Sequence, residues 1–144
     1  MIGFRISEAK GLFFDQKKVV SATDRATRRV LSKFGAFVRQ TAKTSIRKRK
    51  KVSEPGKPPS SHTGLLKRHI YFLFSPERRS VIIGPVLLNS KQTDAPHLLE
   101  HGDTVTRKRR GKRVRMTYKP RPFMGPAFEK EQSQLPALWR DSVK

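Results

Sequence analysis

Apolar residues recur at steps of three or four along residues 14–49, which is the spacing of one face of an α-helix. No proline interrupts this stretch, so the pattern predicts one long amphipathic helix. Its apolar positions are Val19, Ala22, Ala26, Val30, Phe34, Phe37 or Val38, Ala42 and Ile46. Asp15 in the first turn and the cations at 47–49 in the last turn have the charge polarity that a helix dipole favours. Gly35 is a candidate position for a bend.

Short runs that alternate or are rich in β-favouring side chains predict the strands. The predicted strands are residues 2–7, 69–74, 80–84, 104–106 and 114–118. The second and third of these are joined by a short turn and predict one hairpin. The last two predict a second hairpin, whose tip at 107–113 is strongly basic.

Proline and glycine positions delimit the remaining elements. They predict an exposed loop at 50–63, a helical turn at 64–67, a loop at 89–94, a brief helix at 96–102 and a last helix at 126–143. Pro136 interrupts the last helix, in which Phe128, Leu135, Leu138 and Trp139 are the expected buried positions. The expected fold is α+β: a long N-terminal amphipathic helix and a C-terminal helix packed on an antiparallel sheet of four or five strands, in a single domain over residues 1–144.

The amino-acid composition excludes several kinds of chemistry but adds little to the prediction of the fold. The chain of 144 residues has no cysteine, which excludes a disulfide framework, a thiolate nucleophile and zinc sites built on sulfur. No run approaches the roughly 18 apolar residues of a membrane span, and charged residues near the N-terminus are unlike a secretory signal. We therefore expect no membrane partner and a cytosol-like compartment for synthesis.

Charge is the main indication of a partner. The chain has 33 Lys and Arg against 11 Asp and Glu, a formal net charge of +22, which implies a polyanion or acidic protein neighbours. The densest cluster comprises Arg107, Lys108, Arg109, Arg110, Lys112 and Arg113, and no acid occurs between Thr104 and Arg121. Contact with a phosphate backbone, contact with an acidic protein face and a merely solvated tip all fit this cluster. Aromatic residues do not interleave with it, so sequence-specific nucleic-acid readout is not indicated.

Catalytic motifs have little support. The segment His97-Leu98-Leu99-Glu100-His101 fits the H-x-x-E-H pattern of inverted zinc peptidases, but the flanking Pro96 and Gly102 leave it barely more than one helical turn. Residues 60–62, Ser-Ser-His, lie in a proline-rich loop that supplies no nucleophile geometry. We expect no enzyme activity, no metal site and no cofactor.

Three segments in order carry a family resemblance. Residues 58–70, PPSSHTGLLKRHI, residues 95–104, APHLLEHGDT, and residues 120–128, PRPFMGPAF, follow a long amphipathic helix. They resemble the "P…TG-L-(K/R)-x-x-I", "A-x-x-x-E-x-G-T" and "R-P-F-(L/M)-x-P-A" stretches of the neck and tail-completion (minor tail) proteins of long-tailed bacteriophages. Asp103, inserted between Gly102 and Thr104, and the basic tip depart from that pattern.

The resemblance implies a virion protein that forms a homo-oligomeric ring at the head-to-tail junction or tail end, without catalysis. Its partners would be connector, head-closure or tail proteins, with nonspecific contact to genomic DNA as a further option. Residues expected to set the scaffold are Thr63, Gly64, Leu65, Glu100, Gly102, Pro122 and Phe123. Leu65 is expected to point inward, and Glu100 with Gly102 to end the brief helix. A nonspecific nucleic-acid-binding protein is the alternative, and a metallopeptidase ranks far behind.

Overall fold

The computed structural model describes residues 16–86 and 95–143 and confirms an α+β fold with a long N-terminal helix. In chain order the elements are α1 (Gln16–Ser45), β1 (Arg47–Lys48), β2 (Ser60–Ser61), α2 (Leu65–Arg68), β3 (Ile70–Ser75), β4 (Ser80–Pro85), α3 (Ala95–His101), β5 (Asp103–Arg109), β6 (Lys112–Tyr118), α4 (Met124–Gln132) and α5 (Leu135–Trp139). The strand predicted at 2–7, Asp15 and the loop predicted at 89–94 lie outside the described residues.

Helix α1 ends four residues earlier than predicted. Ile46 is fully buried just after its last residue, and the chain then pairs Arg47 and Lys48 in parallel with β2. Arg49 Nε donates a hydrogen bond of 2.9 Å to Ser60 Oγ on the same side. The three cations expected in the last helical turn therefore belong to an extended segment, because pairing with β2 competes with continuation of the helix.

One stripe of α1 forms half of the core. Its buried residues recur every four positions: Ala26, Val30, Phe34, Val38 and Ala42. The first position of the predicted stripe, Val19, is 39% exposed, so the stripe is not buried at the start of the helix. Beyond this stripe, the buried cluster contains Ile46, Leu66, Ile70, Phe123 and Ala127, which pack with Phe34, Val38 and Ala42.

The β3–β4 hairpin packs across α1 at Gly35. Strand register places Phe72 opposite Ile83, and Phe74 opposite Val81. A Cβ on Gly35 would lie 2.8 Å from Val81 Cγ2 and 3.0 Å from a ring carbon of Phe72. Helix α1 continues through this position, and the glycine allows a close approach of the hairpin.

A single sheet of four or five strands is not confirmed. Within the described residues the strands pair two by two: β1 with β2 in parallel, and β3 with β4 and β5 with β6 as antiparallel hairpins. Each hairpin closes on itself through a short turn, and α3 separates the two hairpins along the chain.

The loop and the last helix also differ from expectation. Most of the loop at 50–63 is exposed, but Ser53, Pro59 and Ser61 are buried. The last helix starts at Met124, two residues before Pro126, and is divided into α4 and α5 near Pro136. Of the residues expected to be buried there, Leu135 and Leu138 pack partly buried against the core. Phe128 is 43% and Trp139 37% exposed, although the Phe128 ring meets Phe34 edge to face.

The expectation that Leu65 points inward is wrong. Leu65 is 48% exposed, whereas the adjacent Leu66 is 7% exposed and belongs to the core cluster. The turn of α2 places neighbouring side chains about 100° apart, so Leu66 faces the core while Leu65 faces away from it.

We predict that Phe123→Ala lowers the free energy of unfolding by about 3–5 kcal/mol, because this ring is 1% exposed and its removal leaves a cavity. Leu66→Ala is expected to cost about 2–4 kcal/mol for the same reason. The matched control is Leu65→Ala, which should change stability by less than about 1 kcal/mol. Chemical denaturation of the variants measures this, and equal losses for Leu65→Ala and Leu66→Ala would contradict the orientation of α2.

Candidate interaction site

The Glu100 carboxylate, near the end of α3, binds the start of α4 at residues 123–125. This contact is the joint between the two helices. Its Oε2 accepts hydrogen bonds from the backbone N–H groups of Phe123 at 2.9 Å and Met124 at 3.0 Å, and its Oε1 accepts one from Gly125 at 2.7 Å. The first N–H groups of a helix have no partner within the helix, and the positive end of the helix dipole favours an anion there. Glu100 therefore caps α4 from another helix, with bonds and charge acting together.

Gly102 sets the geometry that lets the chain leave α3. Its φ is 70°, and its N–H donates to the Leu98 carbonyl at 3.0 Å, which closes the helix. A Cβ at this position would lie 2.7 Å from the Tyr118 carbonyl oxygen and 2.9 Å from Pro120. Only glycine satisfies both conditions. Gly102 thus ends α3 as expected, whereas Glu100 acts mainly on α4.

The proline-rich segment at 120–122 connects this joint to the loop at 50–63. The Pro120 carbonyl accepts a hydrogen bond from Gly56 N–H at 2.9 Å, and Arg121 Nε donates to the Ser53 carbonyl at 3.0 Å. Arg121 N–H also donates to the Leu99 carbonyl at 2.6 Å. Pro122 is half-buried between these contacts and the fully buried Phe123 ring, so the segment is tied down from both sides.

Thr63 and Gly64 shape the entry into α2. Gly64 has a φ of 79° and donates its N–H to Ser61 Oγ at 3.0 Å, while Thr63 Oγ1 accepts from Leu65 N–H at 3.3 Å. This turn directs Leu66 and then Ile70 into the core beside Phe123. The residues of all three sequence segments therefore meet at one side of α1.

The basic tip is shorter and more regular than predicted. Strands β5 and β6 run through most of it and pair Arg109 with Lys112, leaving Arg110 and Gly111 as a two-residue turn. Both turn residues have positive φ, 48° and 80°, as a type I′ turn requires. The cations expected on a loop thus project from a β-ribbon whose register is defined.

The ribbon has two different faces, because side chains alternate along each strand. One face, defined here as the polar face, contains only hydroxyl and cationic residues: Thr104, Thr106, Lys108, Arg113, Arg115 and Thr117. Thr104 and Thr117 hydrogen-bond across it at 2.9 Å. The opposite face combines Val105, Val114, Met116 and Tyr118 with further cations, and the Arg107 guanidinium lies over the Tyr118 ring at 5.5 Å.

Positive potential extends beyond the ribbon. Partial burial, followed by repulsion from Arg39 and Lys67, lowers the pKa of Lys43 on α1. Ion pairs on the surface, such as Lys57–Glu54 at 2.6 Å and Arg79–Asp24 at 3.1 Å, are well exposed. Such pairs contribute little and leave most of the excess charge uncompensated.

The peptidase-like motif shows no zinc-site arrangement. The His97 and His101 rings lie 4.8 Å apart, but both oxygens of Glu100 accept hydrogen bonds from backbone N–H groups of 123–125. Residues 16–86 and 95–143 contain no group of three or more His, Asp or Glu residues placed to hold a metal ion. In the loop segment, Ser60 accepts from Arg49 and Ser61 accepts from Gly64, so both hydroxyls have structural partners.

No family model, curated protein or solved structure matches this chain. Across the two described ranges no helix combines the length and apolar character that membrane crossing needs.

The residues that sequence reasoning missed are Arg121 and Arg115. The position of Arg121 between two prolines was the sequence feature that could have identified it. For Arg115 it was the alternation of β6, which places this residue on the same face as Arg113.

We predict that Glu100→Gln lowers the free energy of unfolding by about 1–3 kcal/mol, because a charged acceptor of three backbone N–H groups is replaced by a neutral amide with one acceptor oxygen. Glu129→Gln is the matched control: it is an exposed residue of α4 and removes the same charge. Its effect should stay within about 0.5 kcal/mol. Equal losses in thermal or chemical unfolding would show that net charge, not the cap, is responsible.

Proposed function

We propose that this chain is a structural virion protein of a long-tailed bacteriophage, a ring-forming neck or tail-completion component at the head-to-tail junction. It would be made in the host cytoplasm, assemble into the virion and have no catalytic role. The observation that supports this most is the convergence of the three resembling segments on one joint, where Glu100 binds residues 123–125.

That convergence supports the resemblance, because the three short segments contact one another. Glu100 of the second segment caps the helix that begins in the third, and Gly102 of the second lies against Pro120 of the third. Leu66 and Ile70 of the first segment share the core with Phe123 of the third. Contacts of this kind are what a shared structural role of the three segments would require.

The charge distribution supports a place within an assembly. A chain of net charge +22 is repelled by its own copies, so a ring needs acidic connector, head-closure or tail proteins nearby. The β5–β6 ribbon supplies an arm for such a contact. The proposal includes the antiparallel sheet of four or five strands that is expected from the sequence. Strands of neighbouring copies in the ring would have to complete it.

The alternative is a nonspecific nucleic-acid-binding protein, and the polar face of the ribbon favours it. Lys108 and Arg113 are directly paired across the strands, and Arg115 lies on the same face. Threonine hydroxyls and cations without apolar neighbours suit a phosphate backbone and provide no base-specific readout. The same surface would also allow a ring component to contact packaged DNA.

For the virion proposal we predict that particles of a phage or prophage encoding this chain contain it at ring-like stoichiometry by quantitative mass spectrometry. A phage lacking it should accumulate unjoined heads and tails in electron micrographs. Complementation with the wild-type chain should restore joining, and Glu100→Gln should restore it less well at elevated temperature, with Glu129→Gln as control. Absence of the chain from particles would contradict the proposal.

For the alternative we predict that binding to duplex DNA shows no sequence preference and weakens steeply with salt. Lys108→Gln, Arg113→Gln and Arg115→Gln together should reduce the slope of log K against log salt by up to about 2.7, at about 0.9 per phosphate contact. The control removes three exposed cations elsewhere, by Arg28→Gln, Arg29→Gln and Lys130→Gln. Equal reductions in both triple variants would show that net charge alone causes binding.

A further inference from the structure

The two strands of the β3–β4 hairpin are uncharged in a strongly charged chain. Neither strand contains an Asp, Glu, Lys or Arg, although 31% of all residues are charged. The inward side of the hairpin needs apolar residues because it packs on α1. Its outward side has no such need, since solvent-facing strand positions are ordinarily polar. The β5–β6 ribbon carries cations on both faces and shows the contrast.

The outward face is apolar and open. Tyr71 is 51% exposed, Leu73 68% and Ile82 58%, and the register places Leu73 directly opposite Ile82. The three side chains therefore form one continuous patch. Arg39 borders the patch: its guanidinium lies 5.9 Å over the Tyr71 ring, and its Nε donates to the Ile70 carbonyl at 2.8 Å. Large apolar side chains clustered on an exposed strand face typically mark an interaction surface.

Gly84 adds a second, independent observation. It lies within β4 opposite Tyr71, and its φ is not in the left-handed region. A Cβ built on it would meet nothing within 4 Å in the described part of the chain. Neither backbone conformation nor internal packing therefore requires glycine here. A glycine in a strand with open space above it is typical of a place where another backbone approaches closely.

The hairpin is also unprotected at its edges. Among the described residues it is a two-stranded sheet, so one side of β3 and one side of β4 have no strand partner. Exposed strands usually carry lysine or other charges that prevent association, and these two carry none. The absence of such protection fits a surface that is covered in the assembled state.

We propose that the outward face of the β3–β4 hairpin, comprising Tyr71, Leu73, Ile82 and Gly84, is the surface through which one copy of this chain binds another. The net charge of the chain favours a second copy as the partner that binds this face. Copies of net charge +22 approach each other at least cost through an uncharged face, whereas an acidic partner would be drawn to the cations. Homo-oligomer interfaces are also richer in apolar side chains than other surfaces. The inference rests on the proposed homo-oligomer and names its interface.

The test uses the absence of cysteine from the chain, which gives single-cysteine variants no background reactivity. Leu73→Cys and Ile82→Cys probe the patch, and Val52→Cys, at an apolar position that is 62% exposed elsewhere, is the control. Maleimide modification of each full-length variant is timed over a range of protein concentrations, with the oligomeric state followed by analytical ultracentrifugation. We expect the protein to self-associate, and the thiols of the two patch variants to react at least tenfold more slowly in the oligomer than in the monomer. The thiol of the control variant should react equally fast in both.

A variant that places a charge on this face tests the same inference by disrupting self-association. Leu73→Lys places a cation on the neutral face at a position that is 68% exposed, so the monomer should keep its thermal stability while self-association is lost. Val52→Lys should leave self-association unchanged.

Three results would overturn the inference: no self-association at any concentration, an oligomer in which the thiols of the two patch variants stay as reactive as that of Val52→Cys, or protection that is already complete in the monomer. The last would mean that the chain covers this face itself. Failure of the virion proposal is separate, because it would appear as absence of the chain from particles while self-association through this face persists.

Discussion

The hydrogen bonds from three backbone N–H groups to the Glu100 carboxylate are the constraint on which the rest of this structure depends. They join the end of α3 to the start of α4 across 23 residues of sequence, with the β5–β6 ribbon between them. Because both ends of the ribbon are held by this joint, the ribbon projects from a fixed base. Phe123 takes part in both the cap and the core, because its N–H donates to Glu100 and its side chain is one of the largest that are fully buried.

Two acidic residues, Glu100 and Glu131, form hydrogen bonds that hold elements of the fold together. Glu131 is the second example: it is 6% exposed, and its Oε1 accepts a hydrogen bond of 2.6 Å from Thr41 on α1. With 11 acids against 33 Lys and Arg, each acid placed inside the fold leaves the surface more positive. The positive surface that calls for an anionic or acidic partner is thus partly a consequence of how the fold is held together. An uncharged hairpin face in such a molecule needs a separate explanation, and the proposed association between copies would supply it.

Local pattern predicted α1 and both hairpins, but it did not predict the contacts between distant segments or the arrangement of the hairpins. Apolar residues at steps of three or four predicted α1, β-favouring runs predicted the first hairpin and alternation the second, because these signals lie within each segment. The hydrogen bonds of Glu100 to 123–125 could not be predicted, since they depend on where two distant segments meet. The prediction that Leu65 points inward failed for a related reason. Either Leu65 or Leu66 could face the core, and the direction in which the chain enters α2 decides between them. The close approach of Val81 and Phe72 to Gly35 could not be predicted either, because these residues lie on another element.

The most direct test of the account is amide hydrogen exchange at the start of α4. The N–H groups of Phe123, Met124 and Gly125 belong to the first turn of a helix, where amides without a partner exchange freely with solvent. If Glu100 holds them as the structure indicates, all three should be protected to a similar degree as the core amides of α1 in the wild-type chain. The protection should fall selectively at these three positions in Glu100→Gln. Fast exchange of the three amides in the wild-type chain, with a protected α1, would contradict the central role of this carboxylate.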